Sequence, residues 1–205
     1  MTINGKSSLC NMAVSHLGNY GSVLNIDTPT TDIEIICSLW YDIARETFLK
    51  MTIPNFSMGR RDVAQLAITP PYPFGYAYEY PSDCLKVLGI GAVEDKRNNY
   101  TVEDNKIYTN ILYEGGMPLR FIRNVKDVSR MSTEFKVGFS WYLASLIALP
   151  VTQDVRKAES IEAKIPMKMA ALSGVNAQEN KPIRISRSRF KEARISSFPQ
   201  VPNKR

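Results

Sequence analysis

The fold is decided by one segment of the chain, TTDIEIICSLWYDIARETFLKM at residues 30–51. Its apolar residues recur at spacings of three and four, which predicts an amphipathic helix of about 22 residues. Its N-terminal signal is either Thr28, with Pro29 behind it, or Thr31, with Glu34 three residues further on as in a capping box. The stripe that we expect to be buried comprises Ile33, Ile36, Cys37, Trp40, Ala44, Thr47, Phe48 and Met51. The face that we expect to be solvated holds Glu34, Asp42, Arg45, Glu46 and Lys50.

Other helices are predicted on either side of this segment. Residues 7–17 predict a short helix, and residues 135–149, which are nearly all apolar, predict a buried one. The apolar run Phe139–Val151 is closed by Pro150 and is shorter than the roughly 20 residues that a bilayer requires. We therefore expect a core helix here and no membrane anchor. A further apolar stripe follows in residues 155–172.

The stretch between Pro54 and Val125 changes its period from 3.6 towards 2, which predicts strands. CLKVLGIGAV, at residues 84–93, is apolar and β-branched enough for a central strand. Turn signals separate the later segments YTV, KIYT and LRFIRNV, so that we expect a small antiparallel meander. Earlier alternation, indicating strand faces, is found in Ala64, Leu66 and Ile68 and in Tyr76, Tyr78 and Tyr80.

These patterns predict an α+β fold class. Helices from the N- and C-terminal parts would form a bundle, a small antiparallel β insertion would lie between them, and a basic C-terminal arm would be extended. The expected boundaries are 1–53 for the N-terminal helices, 54–125 for the β-rich insertion, 126–178 for the C-terminal helices and 179–205 for the arm.

The net charge of +6 lies in that arm. Residues 181–205 contain eight basic residues and one acidic residue, whereas the other 180 contain 18 basic and 19 acidic residues and are close to neutral. A uniformly basic nucleic-acid-binding domain is therefore disfavoured. Because large apolar residues alternate with the charges, docking on a protein is favoured over binding nucleic acid. The predicted docking residues are Ile183, Arg184, Ile185, Arg187, Arg189, Phe190, Lys191, Arg194 and Phe198.

Few residues indicate catalysis. His16 is the single histidine, and its expected place in the last turn of a helix is favoured by the helix dipole. The three cysteines, in apolar surroundings without CxxC spacing, indicate buried free thiols in a reducing compartment. The acidic pairs Asp42/Glu46 and Glu103/Asp104 are typical of a solvated helix face and a turn. We expect no catalytic residue, no metal and no cofactor.

The tyrosines of the predicted strand face have two interpretations. Tyr76, Tyr78 and Tyr80 resemble a stacking platform for single-stranded nucleic acid, which normally has basic neighbours. Glu79, Asp83 and prolines surround them here. A half-buried strand face is therefore favoured.

Several segments together resemble a known family. LCNMAVSHLG, SVLNIDTPTTDIEIICSLWYDIARETFLKM, NFSMGRRDVAQLA, PPYPFGYAYEYPSDCLKVLGI and FSWYLASLIALPVTQ are similar, in wording and order, to the tail tubular protein A family. Members of that family are head-to-tail adaptors of short-tailed bacteriophages. The resemblance extends from about Leu9 to about Ala177, which is most of the chain outside the arm.

The resemblance implies a structural virion protein and no enzyme. It implies a ring of twelve copies at the head–tail interface, with portal protein above, the tail nozzle protein below and a central channel for genomic DNA. The protein would be made in the host cytoplasm and would contact no membrane. The arm lies outside the resemblance, and its docking on the portal is predicted from its own residues. One alternative is a virion-associated hydrolase of envelope polysaccharide that uses Glu94, Asp95, Glu103 and Asp104. The other is a nucleic-acid-binding protein that acts through the arm.

Overall fold

The computed structural model describes residues 5–18, 21–91, 100–170 and 174. It is a mixed α+β fold with two small antiparallel sheets and four named helices in these residues. The helices are α1 (Lys6–Leu17), α2 (Asp32–Thr52), α3 (Thr133–Thr152) and α4 (Val155–Glu162). The strands are β1 (Met58–Val63), β2 (Tyr76–Glu79), β3 (Cys84–Ile90), β4 (Tyr100–Glu103), β5 (Lys106–Thr109) and β6 (Met117–Arg123). Short 3₁₀ helices cover Asn55–Ser57 and Val128–Arg130, and residues 165–170 are again helical.

Helix α2 begins with the second of the two predicted signals. The Thr31 hydroxyl accepts the backbone N–H of Glu34, and the Glu34 carboxylate accepts the backbone N–H of Thr31. This reciprocal pair satisfies two N–H groups that the first turn of a helix leaves without partners. The capping box is thus confirmed as the start of the helix.

The buried face of α2 differs from the predicted one. Glu34 and Arg45, which we expected on the solvated face, are among its most buried residues, whereas Trp40 and Met51 are exposed. The buried residues are Glu34, Cys37, Tyr41, Ala44, Arg45, Phe48 and Leu49. The helix is rotated from the prediction because both charged groups find partners inside the protein, Glu34 in the loop before α2 and Arg45 directly after β6.

Helix α3 is the centre of the helical part, because α1, α2 and α4 all pack against it. Phe135 and Phe139 of α3 are fully buried, and their rings lie 5.1 and 6.0 Å from that of Phe48 on α2. The helix does not end at Pro150 as predicted but continues to Thr152. A proline is tolerated there because the missing N–H affects one bond in the last turn only.

By length and composition, α3 is the one helix in the described part of the chain that could cross a membrane. This is weak evidence, since the core helix of a soluble protein has the same properties. The three helices packed around α3 agree with the predicted core position.

In the described residues, all strands lie between residues 58 and 123, within the predicted insertion. They form two sheets, ordered β1-β6-β3 and β2-β5-β4, and not one meander. The predicted central strand β3 is an edge strand, because only β6 pairs with it. The first strand, β1, ends at Val63, before the predicted strand face of Ala64, Leu66 and Ile68. That later segment forms only an isolated β-bridge, between Gln65 and Tyr78. The turn between β4 and β5 is confirmed: Asp104 and Asn105 adopt positive φ, as in a tight hairpin.

Strand β6 connects the two cores of the protein. Ile122 belongs to the core of the helices, whereas Met117, Leu119 and Phe121 point to the opposite face. There they join a second apolar cluster with Tyr78 of β2. Successive side chains of a strand alternate between faces, so β6 can contribute to both cores.

Candidate functional site

The most elaborate polar site in the described residues is built around Arg45, in the middle of α2. Its guanidinium is 1% exposed, and Nη1 donates to the Asn124 side-chain oxygen and, at 3.0 Å, to the Val125 carbonyl. Nε and Nη2 donate to Asp42 at 3.2 and 3.0 Å. Asn124 in turn donates to Glu46 at 2.8 Å. The group therefore ties α2 to the chain directly after β6.

The chemistry of this group is structural. Asp42 and Glu46, predicted to be a solvated acidic pair, both contact the guanidinium of Arg45, at 3.0 and 3.5 Å. Both carboxylates contact a cation of their own chain, whereas the two carboxylates of a glycosidase flank a cleft that holds the substrate. The arrangement stabilises a helix–sheet junction.

A second polar site is the Glu34 carboxylate, which is 1% exposed. It accepts hydrogen bonds from the backbone N–H groups of Leu24 at 2.8 Å, Asn25 at 3.2 Å, Thr30 at 2.8 Å and Thr31 at 3.1 Å. The hydroxyl of Thr30 adds a fifth bond at 2.9 Å. These donors, first among them the Thr30 backbone, lower the pKa of Glu34 to about 2. Glu34 therefore organises the loop before α2.

We expect Glu34→Gln to lower the melting temperature at neutral pH, because a neutral amide accepts these hydrogen bonds less strongly. Since the folded pKa lies below the ordinary value of 4.5, the stabilisation is present above that value and is lost as the pH falls towards about 2. The two melting curves should therefore converge on acidification. Thermal unfolding followed by circular dichroism checks this, with Glu159→Gln on α4 as the control. A gap between the curves that stays constant with pH would contradict the assignment.

His16 lies in the last turn of α1, as predicted, but a different interaction stabilises it there. Its Nε2 is 3.0 Å from the Ser140 hydroxyl of α3, and its ring stacks on Trp141 with the centroids 3.9 Å apart. Burial, followed by the positive charges of Lys168 and Lys164, lowers the pKa of His16. The helix dipole would favour the protonated imidazole, so the predicted electrostatic role is not the dominant one.

The contact between His16 and Ser140 is not a nucleophile–base pair open to substrate. Ser140 is fully buried, and its hydroxyl donates to the Val137 carbonyl at 2.8 Å. The hydroxyl proton is therefore already used within α3, and Ser140 accepts from the imidazole. A reacting group could not approach an oxygen enclosed in this way.

The three cysteines are buried and free, as predicted. A hydrogen bond with Cys37 and burial raise the pKa of Cys10, and burial raises the pKa of Cys84. Since the thiolate is the nucleophile and the metal ligand, these two protonated thiols are unreactive. The described residues contain no group of three or more His, Cys, Asp or Glu side chains that could bind a metal ion.

The residues proposed for the hydrolase alternative are only partly described. Glu94 and Asp95 lie outside the described residues. Glu103 and Asp104 lie at the β4–β5 hairpin, where a hydrogen bond from Lys106 lowers the pKa of Asp104. A general acid in a glycosidase requires a raised pKa, so that the carboxyl group stays protonated. Asp104 is therefore unsuited to that role.

The tyrosine face agrees with its half-buried interpretation. Tyr78 is fully buried, and its hydroxyl accepts the Tyr113 N–H at 2.9 Å. Tyr76 and Tyr80 are partly buried against the same cluster. A side chain enclosed like that of Tyr78 has no free ring surface on which a base could stack.

A groove of about 380 Å³ lies at one end of the β1-β6-β3 sheet. Arg60 and Arg120 face each other across β1 and β6, and Arg61 and Asp62 also line the groove. Arg61 is already paired with Asp83 at 2.6 Å. Asp62 adds a negative charge beside the arginines, so the lining of the groove carries charges of both signs.

All the predicted docking residues of the arm, from Ile183 to Phe198, lie outside the described residues.

The polar sites around Glu34 and Arg45 were not predicted from the sequence, although the sequence contained one signal of them. Glu34 and Arg45 lie on the face of α2 opposite Leu39 and Ile43. Apolar residues therefore occupy more than one face of α2, and this distribution was the signal that the predicted solvated face was uncertain in position.

No protein-family model matches the sequence, and no curated protein matches it either.

Proposed function

We propose that the chain is a non-enzymatic head-to-tail adaptor of a short-tailed bacteriophage, which forms a ring between the portal and the tail nozzle. The observation that carries the proposal is the ordered set of sequence segments similar to the tail tubular protein A family. In this adaptor, the helices form a bundle, and the β-rich part is an insertion in it. The basic arm extends from the bundle to the portal.

The positions of the similar segments support the proposal. Those at the two ends of the similarity form α1, α2 and α3, which pack around one core. The middle segments form β1, β2 and β3. The chemistry of the described residues agrees with a protein that assembles, because the polar sites at Arg45 and Glu34 join parts of the chain.

A ring makes a further demand on the chain. Neighbours in a closed ring meet through two different complementary surfaces, repeated around the rotation axis. A near-neutral body allows identical copies to approach without strong repulsion, and residues 1–180 have nearly balanced charge. Ordering of the arm would then be offset by contacts on the portal.

The test is assembly on the portal. Purified chain is mixed with purified portal of the same phage, and the product is weighed by native mass spectrometry and imaged by electron microscopy. We expect a ring of twelve 23.1 kDa chains on one face of the portal. A chain that stays monomeric and leaves the portal bare would overturn the proposal. Release of reducing sugar from envelope polysaccharide by the purified chain would favour the hydrolase instead.

Deletion of residues 181–205 is expected to weaken portal binding at least about tenfold, because docking arms supply interface area that the body lacks. Two matched variants separate the contributions. One replaces the apolar residues Ile183, Ile185, Phe190 and Phe198 with serine and keeps the charge; the other replaces Arg184, Arg187 and Arg189 with glutamine. Portal binding measured by co-sedimentation should respond to the apolar set. If the deletion instead removes salt-sensitive DNA binding and leaves assembly intact, the arm serves nucleic acid.

A further inference from the structure

The outward face of α2 carries apolar side chains without a partner in the described chain. Leu39 is 65% exposed, Ile43 59% and Ile35 46%, and Trp40 is partly exposed beside them. A face with several large apolar side chains within two turns is larger than the isolated apolar residues normal on a protein surface. It is the strongest sign of an interaction surface in the described residues.

The spacing of this face is that of a coiled-coil seam. Asp32, Ile36, Leu39, Ile43, Glu46 and Lys50 follow one another at intervals of four and three residues. In a heptad pattern these are the a and d positions, which meet a partner helix along one line. The seam is opposite the buried face, since Tyr41 and Phe48 point into the core. We name these six residues the α2 seam.

The charges at the two ends of the α2 seam favour a second copy of this chain, packed antiparallel, as the binding partner. The exposed Asp32 lies at the N-terminal end and the exposed Lys50 at the C-terminal end, with Leu39 and Ile43 midway between them. If two copies pack antiparallel, Leu39 of each copy meets Ile43 of the other, and Asp32 of each meets Lys50 of the other. A parallel pair would place Asp32 against Asp32 and Lys50 against Lys50, which is unfavourable. The seam is therefore complementary to itself in one direction.

Other groups near the seam are compatible with this pairing. Glu46 occupies a seam position opposite Ile36 of the second copy, but its carboxylate is bound by Asn124 and contacts Arg45 of its own chain. Asp42, at the flank, is likewise bound to Arg45. Neither carboxylate is left as an unpaired charge at the centre of the seam.

We propose that the free chain forms a two-fold symmetric dimer through the α2 seam, with the two helices antiparallel. The occupant of the exposed apolar face is thus a second copy of this chain. The contact is isologous and joins each copy to one other, whereas a ring requires heterologous contacts. The proposal is therefore independent of the adaptor function and concerns the chain before any assembly on a portal.

The contact is expected to be weak. The seam between Asp32 and Lys50 is about 27 Å long, at 1.5 Å per residue, and is narrower than a standard stable interface. We expect a Kd on the order of 10 µM. The full chain is examined alone by sedimentation velocity, over a concentration range about a hundredfold wide around that value. A chain that stays monomeric throughout this range overturns the proposal.

A pair of adjacent substitutions tests the surface. Leu39→Glu places a carboxylate in the apolar middle of the seam and should raise the Kd at least about a hundredfold. Ser38→Glu adds the same charge at an exposed heptad position outside the seam, about 100° around the helix from Leu39, and should change the Kd by less than about threefold. Both variants should melt near the wild-type temperature, because both positions are exposed. A dimer that resists Leu39→Glu overturns the proposal.

Charge reversal tests the direction of the two helices. Asp32→Lys and Lys50→Asp each create two repulsive pairs in an antiparallel dimer and should raise the Kd about tenfold. The double variant restores both attractions and should return to within about threefold of wild type. An equimolar mixture of the two single variants should form a heterodimer more stable than either homodimer. If the double variant is as weak as the single ones, the antiparallel arrangement is wrong.

Discussion

The Phe48→Ala variant is expected to unfold with a free energy about 4 kcal/mol below that of the wild-type chain, the largest effect we expect for a single core residue. Phe48 is fully buried on α2, and its ring lies 5.1 Å from Phe135, 6.0 Å from Phe139 and 5.3 Å from Tyr142. All three partners belong to α3, so the ring is the main apolar link between the two helices. Truncation removes this contact and leaves a cavity that close-packed rings fill poorly.

Thermal and denaturant unfolding measure the Phe48 effect. In a chain of 205 residues, a loss of this size should lower the melting temperature by about 10 °C. Phe48→Leu keeps most of the volume and should cost well under half as much. Phe74→Ala removes the same atoms from a half-buried ring of the β-rich part, which stacks on Tyr108, and should cost about 1 kcal/mol. Equal costs at Phe48 and Phe74 would contradict the central position of Phe48.

The second large effect is expected for Arg45→Met, which should lower the free energy of unfolding by about 3 kcal/mol. Methionine fills much of the same space but has no donor. The Val125 carbonyl and the Asn124 side-chain oxygen then lose the Nη1 hydrogen bonds that join α2 to the end of β6. A buried acceptor that has lost its donor destabilises the folded state by its full desolvation cost.

Asp42→Asn is the control for Arg45, because it weakens the ion pair and leaves the bonds to residues 124 and 125 intact. The Asp42 side chain is 63% exposed, so solvent screens this pair and we expect a cost below about 1 kcal/mol. Urea unfolding of the two variants provides the comparison. If Asp42→Asn costs as much as Arg45→Met, the ion pair and not the link to β6 stabilises the junction.

The helical periodicity was sufficient to predict the helices but not their orientation. The capping box of Thr31 and Glu34, the apolar run that contains Phe135 and the alternation of residues between 58 and 123 are all patterns formed by neighbours in the sequence. Local patterns report such features reliably. The rotation of α2 was predicted wrongly because charged residues were assumed to be solvated.

In the candidate sites, too, contacts between neighbours in the sequence could be predicted, whereas contacts between distant segments could not. The capping role of Glu34 could be predicted from Thr31 three residues before it, but its bonds to Leu24 and Asn25 depend on how the preceding loop folds back. The partners of Arg45 that join α2 to the end of β6 lie about 80 residues further along the chain. No sequence spacing indicates a contact of that kind.

The strand order also depended on tertiary structure. The apolar composition of β3 predicted a central position, but β6 is the strand that pairs on both sides. β6 is central because its two faces serve two cores, with Ile122 towards the helices and Phe121 towards the second cluster. Composition reports that a strand is buried, whereas its neighbours are set by the packing of both faces.

By itself the sequence determined the α+β class, the order of helical and β-rich regions, the free buried cysteines and the concentration of charge in residues 181–205. Only the tertiary structure decided which face of α2 is buried. The reason is that a buried charge is stable only where partners surround it, as they surround Glu34 and Arg45. With those two residues turned inward, Leu39 and Ile43 are turned outward.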